Sequence, residues 1–532
     1  MTSDAVTRLD GDFDYIVVGA GHNGLCAAAT LAEQGRSVCV VERLPILGGL
    51  SASYPYLQDA PEHKLSIGAM DDLFMAQTPL ARQMRLADFG YDTVPLAHPY
   101  GWMNEDGDTL LLWGDFARTL DDIRYFSPKD ARTYEQLRGP IDWVMDLVDI
   151  LTVQDASAWG KLDFAKYLLR HRPDRATRRF ISSMLALNVF ELISETFESD
   201  AMRGLWAYWS SMVGPADAVG SGAYFLGFAG VHRHLGVQRP RGGMTNLVEA
   251  FKGKLESHGG VVRLGNGVKQ IRVDAGRATG VLLDDGTELR ARRGVVSNAA
   301  AQITLGKLVP QDQLSRDDRN KVALIPANSI NAAAFKIDVA TAGRVGYPKA
   351  EAARAKRDGE DIRTTTFMTG TLEDHIEQMY AMKRGVNVDT PPVYMAILSA
   401  PDRSIASAEG DVLYLHSNVP GYPSNGWDVN KDAYTEQIWK SSLRFLGGLE
   451  TEIGRVVSTP QDLENRFAAP AGAYFHVDML VTRLGKNRPA HGLGGYNTPI
   501  KALYQTGAGT HPTGGVVGWP GRLAAQHALR NE

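Results

Sequence analysis

At both ends of the chain, short apolar runs rich in β-branched residues alternate with stretches rich in Ala and Leu. Tyr15-Ile16-Val17-Val18 is apolar on both faces and predicts a buried parallel strand. Six residues follow, Gly19-Ala20-Gly21-His22-Asn23-Gly24, and then Leu25 to Gln34 reads as a helix closed by Gly35. Ser37 to Val41 is a second buried strand, ending in Glu42. Much later, Val248 to His258 predicts a helix. Gly260 to Leu264 and Gly267 to Val273 read as strands after it. Gly280 to Leu283 and Glu288 to Ala291 form a hairpin around Asp284-Asp285-Gly286-Thr287, and Gly294 to Ala299 is another strand. Near the C-terminus, Leu503 to Thr506 is a strand and Leu523 to Arg530 a final helix.

The middle is patterned differently. Ile141, Val144, Met145, Leu147, Val148, Ile150 and Leu151 recur at helical spacing, with Asp142, Asp146 and Asp149 opposite. Phe180 to Ile193 is strongly apolar, and Trp206, Tyr208, Trp209, Met212 and Phe225 add aromatic bulk. These residues read as domain core or as the wall of a hydrophobic substrate channel. Lys349 to Arg363 carries mixed charge and reads as a solvated helix or loop. No internal repeat or low-complexity segment interrupts the chain.

The glycine hexapeptide brings in chemistry. It is a GxGxxG turn between a strand and a helix, and an acidic residue ends the following strand about 20 positions on, as a dinucleotide-binding fingerprint requires. Gly19 permits the tight turn, Gly21 lets backbone approach a pyrophosphate, and Gly24 lets the helix pack close. The helix N-terminus favours phosphate charge, and Glu42 can accept hydrogen bonds from ribose hydroxyls.

Composition narrows the class. The chain has 532 residues, which suggests two to four structural units at roughly 150 residues each. Lys+Arg 56 against Asp+Glu 61 gives a net charge of -5, with no electrostatic case for a nucleic-acid partner. Two cysteines, Cys26 and Cys39, exclude a disulfide scaffold, a cysteine zinc site and a four-thiolate iron–sulfur cluster. Both lie in apolar stretches and read as buried free thiols. Met1 to Asp12 lacks the basic start and apolar core of a signal peptide, and no uncharged run of about 18 apolar residues predicts a spanning helix. The expected location is cytoplasmic, with peripheral membrane contact left open.

Three motifs together resemble a known family. The ribose-binding pair Glu42-Arg43 is followed by Leu47-Gly48-Gly49, Ser51 and Ser53. Arg239 to Leu247 leads into the helix–strand–hairpin–strand segment. Gly507-Ala508-Gly509-Thr510-His511-Pro512-Thr513-Gly514-Gly515 precedes Gly518-Trp519-Pro520-Gly521-Arg522. The whole, from about Tyr15 to Arg530, resembles the phytoene desaturase-like FAD-dependent oxidoreductases. It is most similar to the branch that groups desaturase-type carotenoid ketolases with pyridine nucleotide-disulfide oxidoreductase domain-containing protein 2. Pro391 to Met395, Ser399 to Asp402, Gly472 to His476 and Arg488-Pro489 look like that branch's substrate-domain segments.

The resemblance implies an α/β fold: a Rossmann-type, glutathione reductase-like FAD-binding domain (1–74, 239–302 and 470–532) with a discontinuous α+β substrate domain (75–238 and 303–469). It implies FAD, held by Gly19, Gly21, Gly24, Glu42, Arg43, Gly49, Val268 (its backbone facing the adenine), Gly507, Gly509, Gly514, Gly515 and Val516. Two positions depart from many relatives. Leu50 stands where Arg is common, and Gly509-Thr510 stands where an acidic residue binds the ribityl chain. Ribityl recognition is then expected to rest on backbone N–H groups. The aromatic residue of flavin amine oxidases has its nearest counterpart in Val516, with Trp519 as a substitute.

The implied activity is dehydrogenation (desaturation) of a hydrophobic small molecule, isoprenoids among the candidates, by hydride transfer to flavin N5, with a quinone or oxygen as electron acceptor. His511 and His476 are the candidate bases. His511 is also read as ordering its own loop, and His22 as packing the cofactor. Amine or alcohol oxidation, ketolation or isomerisation of an isoprenoid, and a non-catalytic FAD-binding role are the alternatives.

Overall fold

A computed structural model describes residues 11–72, 75, 78–155, 161–225, 230, 237–329 and 332–532. The N-terminal residues 1–10 and the domain boundary expected at residue 74 lie outside them. The strands, in chain order, are β1 (Asp12–Val18), β2 (Val38–Val41), β3 (Thr93–Pro95), β4 (Tyr100–Met103), β5 (Thr109–Leu112), β6 (Gln238–Pro240), β7 (Val261–Arg263), β8 (Val268–Asp274), β9 (Arg277–Leu283), β10 (Glu288–Ser297), β11 (Ala333–Thr341), β12 (Thr366–Met368), β13 (Tyr394–Ile397), β14 (Asp411–Val419), β15 (Glu452–Ser458) and β16 (Leu503–Gln505).

The first sheet runs β7-β2-β1-β10-β9-β8, with β16 also on β10. β7, β2, β1, β10 and β16 are parallel, β9 turns back antiparallel on β10 as the expected hairpin, and β8 adds antiparallel to β9. β10 is long because its first half pairs with β9 and its second with β16. Both faces of β1 are buried. Tyr15 and Val17 pack with the helices His22–Glu33, Thr245–Ser257 and Trp519–Arg530, while Ile16 and Val18 pack against Val281, Leu289, Val295 and Leu503 on the other side. Two-sided burial is what an uninterrupted apolar strand requires.

The second sheet runs β15-β11-β14-β13-β12-β4-β5 and is antiparallel apart from β12 with β4. Phe335, Ile337, Val339, Leu413 and Leu415 fill the core on one of its faces. The opposite face lies beneath the helical layer that contains Trp206, Tyr208 and Trp209.

Five sequence expectations change. The His22–Glu33 helix begins inside the glycine hexapeptide, and the C-terminal helix begins at Trp519, because Pro520 fits its first turn. The Pro128–Val153 helix starts well before Ile141, capped by the Ser127 hydroxyl, and runs through Pro140. The apolar stretch from Phe180 is two helices, Arg175–Ala186 and Val189–Thr196, separated by a capping box of Asn188 and Glu191. Finally, Lys349 to Arg363 is the expected helix and loop with mostly exposed or half-exposed side chains, except that two of its charges are buried. Arg354 is 1% exposed and bonded to Asp122, and Arg363 is bonded to buried Asp411. Charge this deep is tolerated because each guanidinium has a carboxylate partner.

Candidate functional site

One cavity of about 850 Å3 runs from the carboxyl ends of β1 and β2 to the second sheet. Gly19, Gly21, Glu42, Arg43, Gly49, Val268, Gly514, Gly515, Val516 and His476 all line it. Its near end is a cradle of backbone. Gly21 caps the His22–Glu33 helix with no side-chain hydrogen bond, so the first N–H groups of that helix keep their donor capacity. A Cβ on Gly21 would sit 2.8 Å from Asn298 Nδ2, and one on Gly24 only 2.2 Å from Gly19 O. The turn therefore requires glycine at Gly24, where the obstacle is backbone, while at Gly21 a side chain would have to displace the end of Asn298. Gly48 N donates to Ala20 O at 2.9 Å, which lays the second glycine pair alongside the first turn.

Glu42 is held rather than free. Its Oε2 accepts from Ala20 N at 2.8 Å and its Oε1 from Leu44 N at 2.9 Å. Each oxygen keeps a lone pair for a ribose hydroxyl. Arg43 turns outward and donates to Arg466 O at 2.6 Å at the cavity mouth.

The C-terminal loop closes over the cradle. Gly515 has φ +100, and Val516 and His476 take φ +58 and +62. A β-branched residue in that region is strained, and strain of about 1–3 kcal/mol per residue persists where surrounding structure fixes it. Arg488, completely buried, supplies part of that fixing. Its guanidinium donates to Phe475 O at 2.9 Å, Val477 O at 3.0 Å and Ala508 O at 2.9 Å, tying the segment on both sides of His476 to the C-terminal loop.

Gly24, Gly507, Gly509 and His511 do not line the cavity. Gly24 packs on the turn, Gly507 crosses Asn298 O, and Gly509 backs onto His476. His511 is aimed elsewhere. Its Nε2 donates to Leu151 O at 2.7 Å, anchoring the loop to the end of the Pro128–Val153 helix. Trp519 packs into the core of the first sheet's helices and supplies no aromatic wall to the cavity. His22 Nδ1 lies 2.9 Å from Ser51 Oγ. Burial depresses both His22 and His476 to about 4, so both rings are neutral at pH 7.

The far end was anticipated from sequence only in Trp209 and Met212, two of the residues read as a channel wall. Tyr100, Trp209, Met212, Val213, Tyr394, Tyr414 and Phe475 wall it, with Asp71, Lys336 and His416 among them. Asp71 accepts from Arg239 Nε and from the Tyr100 hydroxyl, each at 2.8 Å. Lys336 donates to Asp338 Oδ1 at 3.0 Å. Burial holds the Lys336 ammonium below its usual range and the Asp338 carboxyl above its own, each partly offset by the other's charge. One further signal was present in the sequence. Ala333 to Thr341 and Asp411 to Val419 alternate with period 2, which puts Lys336 and Asp338 on one face of the first and Tyr414 and His416 on one face of the second.

The cradle suits a dinucleotide. Cavity-lining His22, Asn23 and His476 each carry a buried polar atom with no protein partner, Nε2, Oδ1 and Nδ1 respectively, beside backbone where a Cβ does not fit. Residues 24–369 match the flavin containing amine oxidoreductase family. The chain is 28% identical to pyridine nucleotide-disulfide oxidoreductase domain-containing protein 2 of Rattus norvegicus, covering 98% of this chain and 94% of that one. It is 26% identical to a neurosporene-forming phytoene desaturase of Rhodobacter capsulatus, covering 96% and 93%. Among solved structures, an oxidoreductase from Methanosarcina mazei superposes with a TM-score of 0.60 at 18% identity, covering 97% of this chain and 99% of that one. The chain belongs to the flavin containing amine oxidoreductase family, is an FAD-dependent oxidoreductase, and takes FAD as its cofactor.

Proposed function

We propose that this flavoenzyme dehydrogenates a small, mostly apolar molecule held between the cradle and the second sheet, and that a quinone or oxygen reoxidises it. The continuity of the cavity carries this reading: the glycine cradle and the aromatic far wall enclose one space. FAD in the cradle supplies the hydride acceptor, and the protein supplies position and exclusion. Gly19, Gly21, Glu42, Gly49, Val268, Gly514 and Val516 are the proposed cofactor contacts. Trp209, Met212, Val213 and Phe475 give the substrate an apolar wall. Neutral His476, whose Nδ1 has no protein partner, is the proposed proton-accepting side chain, and His511 is assigned to ordering its loop.

The first sheet draws its strands from 1–74, 239–302 and 470–532, and the second from 75–238 and 303–469, which supports those spans as the FAD-binding and substrate units. Among the described residues no helix is long and apolar enough to cross a membrane.

The test is anaerobic mixing of the purified yellow protein with isoprenoids, amines and cyclic alcohols, following loss of visible flavin absorbance. An apolar isoprenoid or alcohol should bleach it. Bleaching by amines alone would make the protein an amine oxidase, and bleaching by nothing in the panel would favour a binding role.

A further inference from the structure

We propose that the floor of the cavity recognises a neutral hydroxyl group on the otherwise apolar substrate, with His416 Nε2 accepting from it and the Tyr394 hydroxyl donating to it. This deepens the proposed dehydrogenase reading and rests on it. The argument starts from strand register. Lys336 on β11 pairs with His416 on β14, and His416 pairs with Tyr394 on β13, so the three side chains are cross-strand neighbours on one face of the sheet. All three line the cavity.

Proton counting then sets what each can offer. Tyr208 has one hydroxyl proton, which it donates to the His416 backbone O at 2.9 Å. Its oxygen therefore accepts from His416 Nδ1 at 3.1 Å, and that assigns the ring proton to Nδ1. The Nε2 lone pair is left buried and without a protein partner. Burial, and next the nearby Lys336 charge, hold the ring down to about 3, so it is neutral. Among the described residues no hydrogen bond engages the Tyr394 hydroxyl. The His416 and Tyr394 rings lie 6.0 Å apart between centroids at 81°. The floor therefore presents one acceptor and one donor side by side.

Lys336 is already committed. Its three N–H groups are taken by Asp338 Oδ1 at 3.0 Å, Leu415 O at 3.3 Å and the Tyr414 ring face, whose centroid is 2.8 Å away. Asp71, the other charge on the wall, is matched by Arg239. A carboxylate or an ammonium group would find its counter-charge already paired. A hydrocarbon would leave both the Nε2 and the phenol unpaired, and a ketone would leave the Nε2 unpaired. A hydroxyl satisfies both.

The test uses the FAD-loaded enzyme at neutral pH and four probes on one six-carbon ring: cyclohexanol, methylcyclohexane, cyclohexylamine and cyclohexanecarboxylate. Binding is read from the change in visible flavin absorbance on titration. Cyclohexanol should bind about tenfold more tightly than the other three, and Tyr394→Phe or His416→Leu should each shrink that preference to about threefold or less with methylcyclohexane binding unchanged. Tyr394→Phe keeps the ring and its packing, so it serves even where His416→Leu does not fold. Either charged probe binding as tightly as cyclohexanol overturns the proposal, as does an undiminished preference in Tyr394→Phe. Binding of methylcyclohexane alone overturns it while leaving the apolar-substrate reading in place. If no probe perturbs the flavin, both fall.

Discussion

A carboxylate that is to receive a ribose must first be held still, and Glu42 is held by the Ala20 and Leu44 amides. Charged hydrogen bonds contribute roughly 1.5–3 kcal/mol each, so Glu42→Ala should raise the FAD dissociation constant by about one to two orders of magnitude. An unchanged constant, measured by flavin release on dilution, would sink the ribose assignment. His375 makes a separate point at the same scale. It is buried against Tyr208, and neither ring nitrogen has a partner among the described residues. Burial lowers it from 6.5 to about 4. As pH falls through 6.5 the unfolded chain takes up the proton first, so stability is lost between about pH 6.5 and 4. His375→Phe keeps a ring there and removes the titration. The stability lost between pH 7.5 and 5 in urea unfolding should then shrink by about 2 kcal/mol. The same acid sensitivity in both proteins would mean that the ring is protonated in the native state.

At the scale of elements, the Trp519–Arg530 helix braces the start of the His22–Glu33 helix. A Cβ on Gly521 would lie 2.0 Å from Asn23 O and 3.0 Å from Ala27 N, both backbone atoms. Gly521→Ala should therefore push the two helices apart, at a cost of about 1–3 kcal/mol for overpacking, and open the cradle that Asn23 helps form. Expected are a lower melting temperature and purified protein with less than full flavin. Wild-type occupancy and melting would show that the helices yield without disturbing the cradle. This pairing joins residues about 500 positions apart, which explains why sequence reading found both helices but not their contact. The strand–turn–helix unit at Tyr15 to Glu42 was legible because each part is local: apolar runs, glycines at fixed spacing, an acid after a strand. The cavity floor was not, because Lys336, Tyr394 and His416 meet only through the register of three strands. His511 kept two readings open because it lies within a flavin-loop motif, whereas the contact of its Nε2 with Leu151 O, 360 positions away, has no local signal.

The whole molecule is organised around a shared cavity rather than around either sheet. Its wall takes Gly19, Glu42 and Asn298 from the ends of the first sheet and Ala334, Lys336, Tyr394 and Tyr414 from the second. A cofactor bound there belongs to the folded state alone, since the unfolded chain brings none of these residues together. Such a ligand stabilises by RT ln(1 + [L]/Kd), about 2.7 kcal/mol when FAD is at a hundredfold its dissociation constant. The melting temperature of FAD-depleted protein should therefore climb with the logarithm of added FAD once the dissociation constant is passed. Glu42→Ala should shift the onset of that climb to about ten- to hundredfold higher FAD without changing its slope, because the variant alters affinity and not the linkage. A melting temperature indifferent to FAD in wild-type protein would mean that the cavity is complete without its cofactor. An onset that stays put in Glu42→Ala would move ribose recognition to another residue of the cradle.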